Sequence, residues 1–471
     1  MSILALILVA SAGVLAIILP WVGVLAYYTF AIMQAHHLWP EHFGDGRVSL
    51  IITASTLLGL CLATVMKQVN WRILFTPYSL LVMLLIVMVN LSVHFSGFVF
   101  YADAASAKDI AGILTQAQVI ETFNKIMVFY IIASLLIDNR VKLEYCLYAL
   151  AVVVLYYTFW ANKIYLTGEF WRFGDNGRLN GPINSVYFDE NYLGMLFVVA
   201  TPLLYYIGVV RSNPIVKYAI WLTIPLSWHA LFLTGSRGGI LALAVTCIYL
   251  FFRSFNRTAS IGITVTLVLA IIFQSGNLLT RIDDTIESSS EIHAEEKLDP
   301  RLISWGVATE IMAEYPLFGV GVGNFINAFP KFSNTELHVA HNTYFQFSAN
   351  CGIIAGLIYL WFFAIRIPTF RKSAAIEGST EFPSGFKRDY LDDLLNSMFL
   401  GFFVVAVFLD LMIYELLYFL ILLGFCKYTL DRTEARVNGT SSTKEIPEIN
   451  GPVNSIYRFS RKATTNDNLR R

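Results

Sequence analysis

Long apolar segments with few charges recur along almost the whole chain. Residues 150–155, for example, read Leu-Ala-Val-Val-Val-Leu without a polar break, whereas the strands of a membrane barrel alternate polar and apolar residues. A helix of about 18 or more nearly uncharged residues can cross a hydrocarbon core of roughly 30 Å. The pattern therefore predicts an all-α polytopic integral membrane protein with about 12–13 transmembrane helices.

The first two predicted spans are short and meet at Pro20, so residues 3–36 form either two crossings or one broken hairpin. The full set of predicted spans is 3–19, 21–36, 48–66, 74–95, 118–137, 143–162, 191–210, 217–234, 238–252, 259–275, 343–365, 394–410 and 412–427.

Lysine and arginine side chains concentrate in every second connection between these spans. Lys67 and Arg140 mark two such connections, and the positive-inside rule predicts that these connections face the cytoplasm. The complementary connections then face outward. Two of them are long, residues 163–190 and residues 276–342, and connections of this length are usually functional or disordered.

The predicted topology divides the chain into four regions. Residues 1–162 form N-terminal transmembrane helices, and residues 163–365 form a core that carries both external loops. Residues 366–427 supply C-terminal transmembrane helices. Residues 428–471 are rich in Ser, Thr, Asn and charged side chains, so we expect a disordered cytoplasmic tail there.

The longer external loop contains a second helical pattern. Leu302, Trp305, Ile311 and Met312 recur at helical spacing and predict an amphipathic helix near the membrane surface. The glycine-rich segment 319–323 follows it. No strand-helix-strand unit surrounds these glycines, so we expect a turn after the helix and not a nucleotide site.

Composition narrows the function further. Charged residues make up 14% of the chain and the formal net charge is zero, so no overall field attracts nucleic acid. The five cysteines are dispersed in apolar segments, where they fit buried small hydrophobes better than a metal or redox site. The sequence also lacks a P-loop. We therefore expect no cofactor.

Arg237 lies in the motif Thr-Gly-Ser-Arg-Gly-Gly of residues 234–239, between two predicted spans on the outer side. Glycines leave backbone amides accessible, and the start of the next helix presents its positive dipole end outward. Amides, dipole and guanidinium together suit a phosphate group. The alternative is a tight interhelical turn whose arginine extends its charged end to the membrane surface.

Two further arginines lie in the outer loops. Arg301 follows Asp299 and Pro300 at the start of the amphipathic helix, where it either binds a second phosphate or pairs with Asp299. Arg178 lies in the shorter loop, in the segment Gly-Arg-Leu-Asn-Gly-Pro of residues 177–182. Three arginines on one face of the membrane favour binding of an anionic substrate.

His341 precedes Asn342 at the entrance of the span 343–365. The ordinary histidine pKa near 6.5 allows a neutral imidazole to act as a general base, although a histidine that only forms a hydrogen bond fits this position equally well. His338 lies one turn earlier and either positions a substrate or has no role. The His-x-x-His spacing lacks the third ligand and the glutamate of a zinc helix, so we expect no metal.

With these residues in view, the chain resembles the O-antigen ligase and polymerase superfamily of bacterial envelope proteins over about residues 165–365. N-terminal segments, and residues 171–177, resemble a branch that occurs beside exosortase-type sorting systems and is described as O-glycosylation ligases. The segments that carry the likeness are Arg178 with Asn180-Gly181-Pro182 and Asn191, Thr234 to Gly239, Arg301 with Trp305, Pro316 to Phe325, His341-Asn342 with Gly352, and, for the branch, Trp21-Val22-Gly23, His36-His37 and Trp171 to Gly177.

The resemblance implies an inverting glycosyltransferase of the bacterial inner membrane that needs neither metal nor nucleotide. Such an enzyme moves a preassembled glycan from undecaprenyl diphosphate to an acceptor hydroxyl on the periplasmic side. His341 would be its base, and Arg237 and Arg301 would bind the diphosphate. Arg178, His338 and Asn342 would complete the substrate site, with Arg178 in a loop that varies more within the superfamily.

The resemblance leaves the acceptor open between a lipid A core sugar, the growing glycan of a polymerase and a protein side chain. A different class, a lipid-linked glycan flippase or other transporter, would also contain cationic residues among many helices. A transporter needs them in a cavity at mid-membrane depth. The predicted clustering of arginines and a histidine at the outer face favours the enzyme.

Overall fold

The computed structural model describes residues 2–43, 47–98, 114–174, 177–253, 300–367 and 390–441, with short pieces between 261 and 268. The described part of the chain is overwhelmingly helical, which confirms the predicted all-α class. Chain contacts separate a first unit, residues 1–428, from a second, residues 429–471. Most of the predicted span 259–275, residues 276–299 of the longer external loop and the tail after residue 441 lie outside the described residues.

The described helices are α1 (Ile3–Ile18), α2 (Pro20–Met33), α3 (Ala35–Leu38), α4 (Pro40–Phe43), α5 (Val48–Val65), α6 (Pro77–Phe95), α7 (Gln116–Leu136), α8 (Arg140–Thr167), α9 (Glu190–Val209), α10 (Pro214–Thr234), α11 (Arg237–Arg253), α12 (Pro300–Glu314), α13 (Phe325–Phe332), α14 (Thr343–Cys351), α15 (Ile353–Ala364), α16 (Tyr390–Ala406) and α17 (Glu415–Ser441).

Six of these helices, α5 to α10, are long and apolar enough to cross a membrane. The helices α1, α2 and α15 are apolar but shorter. This set confirms a polytopic membrane protein. The helix α17 runs beyond the predicted span 412–427 as far as Ser441.

The N-terminal helices α1 and α2 fold as a hairpin that packs against α5. The backbone N–H of Ser2 donates to the carbonyl of His42 at 2.7 Å, so the chain returns to its starting side after α2. The two limbs contain 16 and 14 residues, about 24 and 21 Å at 1.5 Å per residue. Each limb is therefore shorter than a hydrocarbon core of roughly 30 Å.

The helix α9 lies at the centre of the bundle. Of its most apolar stretch 89% is buried, against 33–56% for the other five long helices, as expected for a helix enclosed by protein on all sides. Two glycines permit close packing. Gly194 faces Ser236, and a Cβ added at Gly208 would lie 2.3 Å from Nε1 of Trp221. The helix α9 thus supports α10 and α11, the helices that flank Arg237.

The predicted span 343–365 is wrong as a single helix, because it breaks at Gly352 into α14 and α15. Gly352 has φ of 93°, and a Cβ there would lie 2.0 Å from the carbonyl oxygen of Leu317. The N–H of Ile353 donates to the carbonyl of Pro316 at 2.9 Å. The segment between α12 and the predicted glycine-rich turn therefore supplies a partner for backbone that the break leaves outside a helix, as irregular backbone requires inside a membrane protein.

The predicted amphipathic helix exists as α12, but its buried face differs from the prediction. Leu302 is 51% exposed. The helix packs instead through a stripe with the spacing i, i+3, i+4 and i+7, and the members of that stripe are Ser304, Val307, Ala308 and Ile311. This orientation leaves Arg301 beside the C-terminal helices.

A buried ionic cluster joins the ends of α11, α16 and α17 that lie away from Arg237. Arg253 pairs with Asp393 at 3.2 Å, and Asp392 accepts from both Arg366 at 3.0 Å and Lys427 at 3.1 Å. Removing one partner of a buried pair costs about 3–5 kcal/mol, since it leaves a charge without compensation. The cluster therefore fixes the ends of α11, α16 and α17 that lie opposite the candidate site.

Candidate functional site

A short irregular segment between α16 and α17, residues 407–414, contacts several parts of the predicted site. It is called the 407–414 connection below. The predicted spans 394–410 and 412–427 left almost no room for it, but α16 ends at Ala406 and α17 begins at Glu415. Residues that are distant in sequence meet around this segment.

Arg237 is the first residue of α11. Gly235 ends α10 in the left-handed conformation, with φ of 59°, and the Ser236 hydroxyl accepts the N–H of Gly239 at 3.2 Å. Residues 234–237 therefore form a tight interhelical turn, a geometry that both interpretations of this motif share. The Arg237 side chain is exposed and forms no hydrogen bond or ion pair with the residues that the structure describes. Its guanidinium is available to a ligand.

Phe408 of the 407–414 connection brings Arg301 close to the start of α11. The guanidinium carbon of Arg301 lies 5.5 Å from the centre of the Phe408 ring, a cation–π distance. The same ring lies against Gly238, where an added Cβ would be 3.0 Å from Cδ2. Arg301 and the residue after Arg237 thus contact one aromatic ring.

Arg178 binds three groups of the protein. Its Nε donates to the carbonyl of Thr234 at 2.8 Å, its Nη2 donates to Oδ1 of Asn191 at 2.9 Å, and its Nη1 pairs with Glu190 at 2.5 Å. The Thr234 carbonyl belongs to the last turn of α10, where a cation is favoured. Arg178 therefore holds the end of α10 and the turn that leads to Arg237.

His341 is fixed through its backbone by Asp410 of the 407–414 connection. The His341 N–H donates to Oδ2 at 3.1 Å, and the Asn342 N–H donates to Oδ1 at 3.4 Å. His341 has φ of 49°, a conformation that few residues other than glycine adopt. Such strain persists where the surroundings enforce it, often at functional sites.

Two neighbours of His341 have different surroundings. Asn342 is buried, and its Oδ1 caps α14 by accepting the N–H groups of Tyr344 at 2.9 Å and Phe345 at 3.2 Å, which is a structural role. His338 packs edge-on against Phe329 of α13, with ring centres 6.0 Å apart.

Residues 222–360 match the family model for O-antigen ligases. The chain carries an O-antigen ligase domain. This confirms the superfamily suggested by the motifs and indicates a glycosyltransferase-type enzyme in a multi-pass membrane protein, with a lipid-linked glycan donor and a glycan acceptor. Arg237, Arg301 and His341 all lie in the matched segment. Comparison with curated proteins gives no match.

Asp410 lies beyond the matched ligase domain and was missed by the sequence reasoning. Enclosure of its carboxyl by protein raises the pKa to about 6, although the two backbone N–H groups lower it. Its carbonyl also accepts the Tyr192 hydroxyl at 2.5 Å. The available signal was a pair of carboxylates, Asp410 and Glu415, within an apolar run, by the same reasoning that identified Arg237.

The ligase domain and the 407–414 connection together present two arginines and one histidine around one aromatic and one acidic side chain. Within the described residues, no group of three or more His, Cys, Asp or Glu side chains is arranged to bind a metal ion.

Proposed function

We propose that this protein is an inverting glycosyltransferase that needs neither metal nor nucleotide. It transfers a preassembled glycan from undecaprenyl diphosphate to an acceptor hydroxyl on the periplasmic side of the bacterial inner membrane. The observation that carries the proposal is the 407–414 connection, which contacts Arg301 through Phe408 and His341 through Asp410. The O-antigen ligase domain supplies the reaction class.

The two arginines bind the diphosphate. As the bond from the sugar C1 to the phosphate oxygen breaks, negative charge gathers on the leaving group, and positioned cations stabilise that charge. Arg237 lies at a helix start, where the dipole also favours an anion. Its exposed guanidinium and the Arg301 guanidinium beside Phe408 approach the diphosphate from two helices.

His341 activates the acceptor. Its neutral imidazole takes the proton of the acceptor hydroxyl while the acceptor oxygen forms the new bond to C1. The diphosphate leaves on the opposite face of the sugar, so a single displacement inverts the configuration. Asp410 positions the imidazole through the His341 and Asn342 N–H groups. Arg178, whose own charge is paired with Glu190, positions the turn before Arg237.

The acceptor is a hydroxyl of a lipid A core sugar, of the growing glycan or of a protein. The exosortase-associated branch, suggested by the N-terminal segments, would favour a protein side chain. The transporter alternative needs cations in a cavity at mid-membrane depth. Arg237 instead begins a helix and is exposed, which supports the enzyme.

The decisive experiment incubates purified protein with a defined glycan on undecaprenyl diphosphate and with each class of acceptor, with and without a chelator. We expect transfer to one acceptor class, released undecaprenyl diphosphate and no effect of the chelator. A donor that stays intact but moves across the bilayer of vesicles would establish the transporter instead. Activity that is lost with chelator and restored by one divalent ion would refute metal independence.

The side of the membrane is tested separately by topology reporters. Fusions at Ser289 and at Lys427 should report the periplasm and the cytoplasm, respectively, because basic residues mark the cytoplasmic connections. A reporter at Ser289 that is active in the cytoplasm would refute the periplasmic site.

A further inference from the structure

Asn191, at the start of α9, accepts two hydrogen bonds on one oxygen. Its Oδ1 receives Nη2 of Arg178 at 2.9 Å and the Ser236 hydroxyl at 2.9 Å. Its own N–H donates to Oδ1 of Asp189 at 2.7 Å, which caps α9. The mechanism above gives Asn191 no role.

The two groups that Asn191 binds lie on either side of the turn from α10 to α11. Arg178 holds the Thr234 carbonyl at 2.8 Å at the end of α10. Ser236 caps the start of α11 by accepting the N–H of Gly239. The residue after Ser236 is Arg237, the proposed diphosphate-binding residue. The Asn191 side-chain oxygen thus binds both Arg178 and Ser236, the two residues that hold the turn before Arg237.

The next residue of α9 reaches the other half of the site. The Tyr192 hydroxyl donates to the Asp410 carbonyl at 2.5 Å, and the Asp410 carboxylate holds His341. Because α9 is buried from Leu193 onward, the half-buried first turn begins a firmly held helix and is a fixed reference for both halves. Asn191 contacts the arginine half and Tyr192 contacts the histidine half.

We infer that Asn191 is a positioning residue that sets Arg237 relative to His341 through Ser236 and Arg178. The inference rests on the proposed function and extends it. Loss of the Asn191 oxygen lets the α10–α11 turn shift, so it weakens binding of the lipid diphosphate donor. Proton transfer is unaffected, because Tyr192 still holds Asp410.

The test compares Asn191→Leu, which removes the oxygen at similar volume, with Asn191→Asp, which keeps an acceptor for both Arg178 and Ser236. One charge-assisted and one neutral hydrogen bond are lost in Asn191→Leu, so we expect donor Kd and KM to rise about 10- to 100-fold. The kcat at saturating donor should fall too, because Arg237 also stabilises the negative charge on the leaving group. The pH profile of kcat should stay close to that of the unmodified protein, since the contacts of His341 are unchanged. Asn191→Asp should regain most of the donor affinity.

The matched control is Asn90→Leu. Asn90 and Asn124 exchange reciprocal amide hydrogen bonds of 2.9 Å between α6 and α7, so this variant loses an asparagine pair elsewhere. It should leave donor KM unchanged. Thermal unfolding of each variant identifies any general loss of folding.

A double-mutant cycle completes the test. If Asn191 acts through Ser236, then Asn191→Leu should add little to the donor KM of Ser236→Ala, because coupled positions are not additive. Unchanged donor binding in folded Asn191→Leu, full additivity in the cycle, or an Asn191→Asp variant as weak as Asn191→Leu would overturn the inference. Failure of the unmodified protein to bind the donor would instead refute the proposed function.

Discussion

Replacement of Asp410 by asparagine should slow glycan transfer without weakening donor binding. The carboxylate accepts two N–H groups, from His341 at 3.1 Å and from Asn342 at 3.4 Å. An asparagine has only one acceptor oxygen, and its NH₂ group would face the second N–H. The variant therefore loses at least one of the two bonds that hold His341 in its left-handed conformation.

The expected decrease in kcat follows from the energy of the hydrogen bond that is lost. A hydrogen bond to a charged group contributes about 1.5–3 kcal/mol, and about 1.4 kcal/mol corresponds to a tenfold change in rate. If the lost bond serves to orient the His341 imidazole, kcat for Asp410→Asn should fall about 10- to 150-fold. Donor KM should change little, since Phe408 still contacts Arg301 and Gly238.

The assay measures transfer from a defined lipid-diphosphate donor under saturating acceptor, with kcat and KM determined separately. Asp138→Asn is the control, because Asp138 is an exposed carboxylate paired with Lys142 and has no contact with the site. A folded Asp410→Asn variant that keeps the kcat of the unmodified protein would refute the positioning of His341 by Asp410. A change in donor KM alone would refute the division of the site into two halves.

The remaining predictions concern four residues. Arg237→Lys should keep partial donor binding and Arg237→Ala much less, because lysine retains the charge but not the planar fork that holds two phosphate oxygens; equal donor affinity of Arg237→Ala and the unmodified protein would contradict this. His341→Ala should lower kcat by about 10²–10⁴-fold, whereas His338→Ala should have a smaller effect. The rate should also fall on acidification, because a protonated imidazole cannot accept the proton of the acceptor hydroxyl. A rate that does not change with pH, together with an active His341→Gln variant, would leave His341 only a binding role. Gly352→Ala should lower the melting temperature markedly, since its Cβ would lie 2.0 Å from a carbonyl oxygen in a backbone with φ of 93°; an unchanged melting temperature would show that the break is not fixed.

The pH dependence of stability gives a separate check on Asp410. Its pKa is raised to about 6 in the folded protein from an ordinary value of 3.8, so the folded state binds the proton more tightly than the unfolded state does. The contribution of the Asp410 carboxyl to the free energy of unfolding is therefore fully present below about pH 4, where the group is protonated in both states. This contribution is lost as pH rises through about 6 and the folded protein releases the proton. The difference in unfolding free energy between the unmodified protein and Asp410→Asn should therefore vary over that window. A constant difference would contradict the raised pKa.

The helices and the basic residues at their ends could be predicted because their signals are local. Apolar runs define helices, and a charge beside such a run is conspicuous wherever it occurs, as Arg237 and His341 show. The helix α12 was also predictable from its spacing, but its buried face was not. Which side of a helix packs depends on neighbours such as α14, and these are set by the fold as a whole.

The 407–414 connection could not be predicted for a related reason. Residues 394–427 form an almost continuous apolar run, so hydropathy placed Asp410 at the end of a span. The contact of Phe408 with Gly238, and of Asp410 with His341, joins segments that are far apart in sequence. No local pattern encodes either contact. Asn342 was prominent in the sequence, yet its side-chain oxygen caps a helix.

The 407–414 connection also affects how this enzyme class can be recombined. The matched domain ends at residue 360, before Phe408 and Asp410. A chimera that exchanges residues 222–360 between two relatives would import Arg237, Arg301 and His341 from the donor protein. It would retain the recipient's residues at the positions of Phe408 and Asp410. The C-terminal junction of the exchanged segment must therefore lie beyond the first turn of α17, so that the ligase domain and the 407–414 connection come from the same protein.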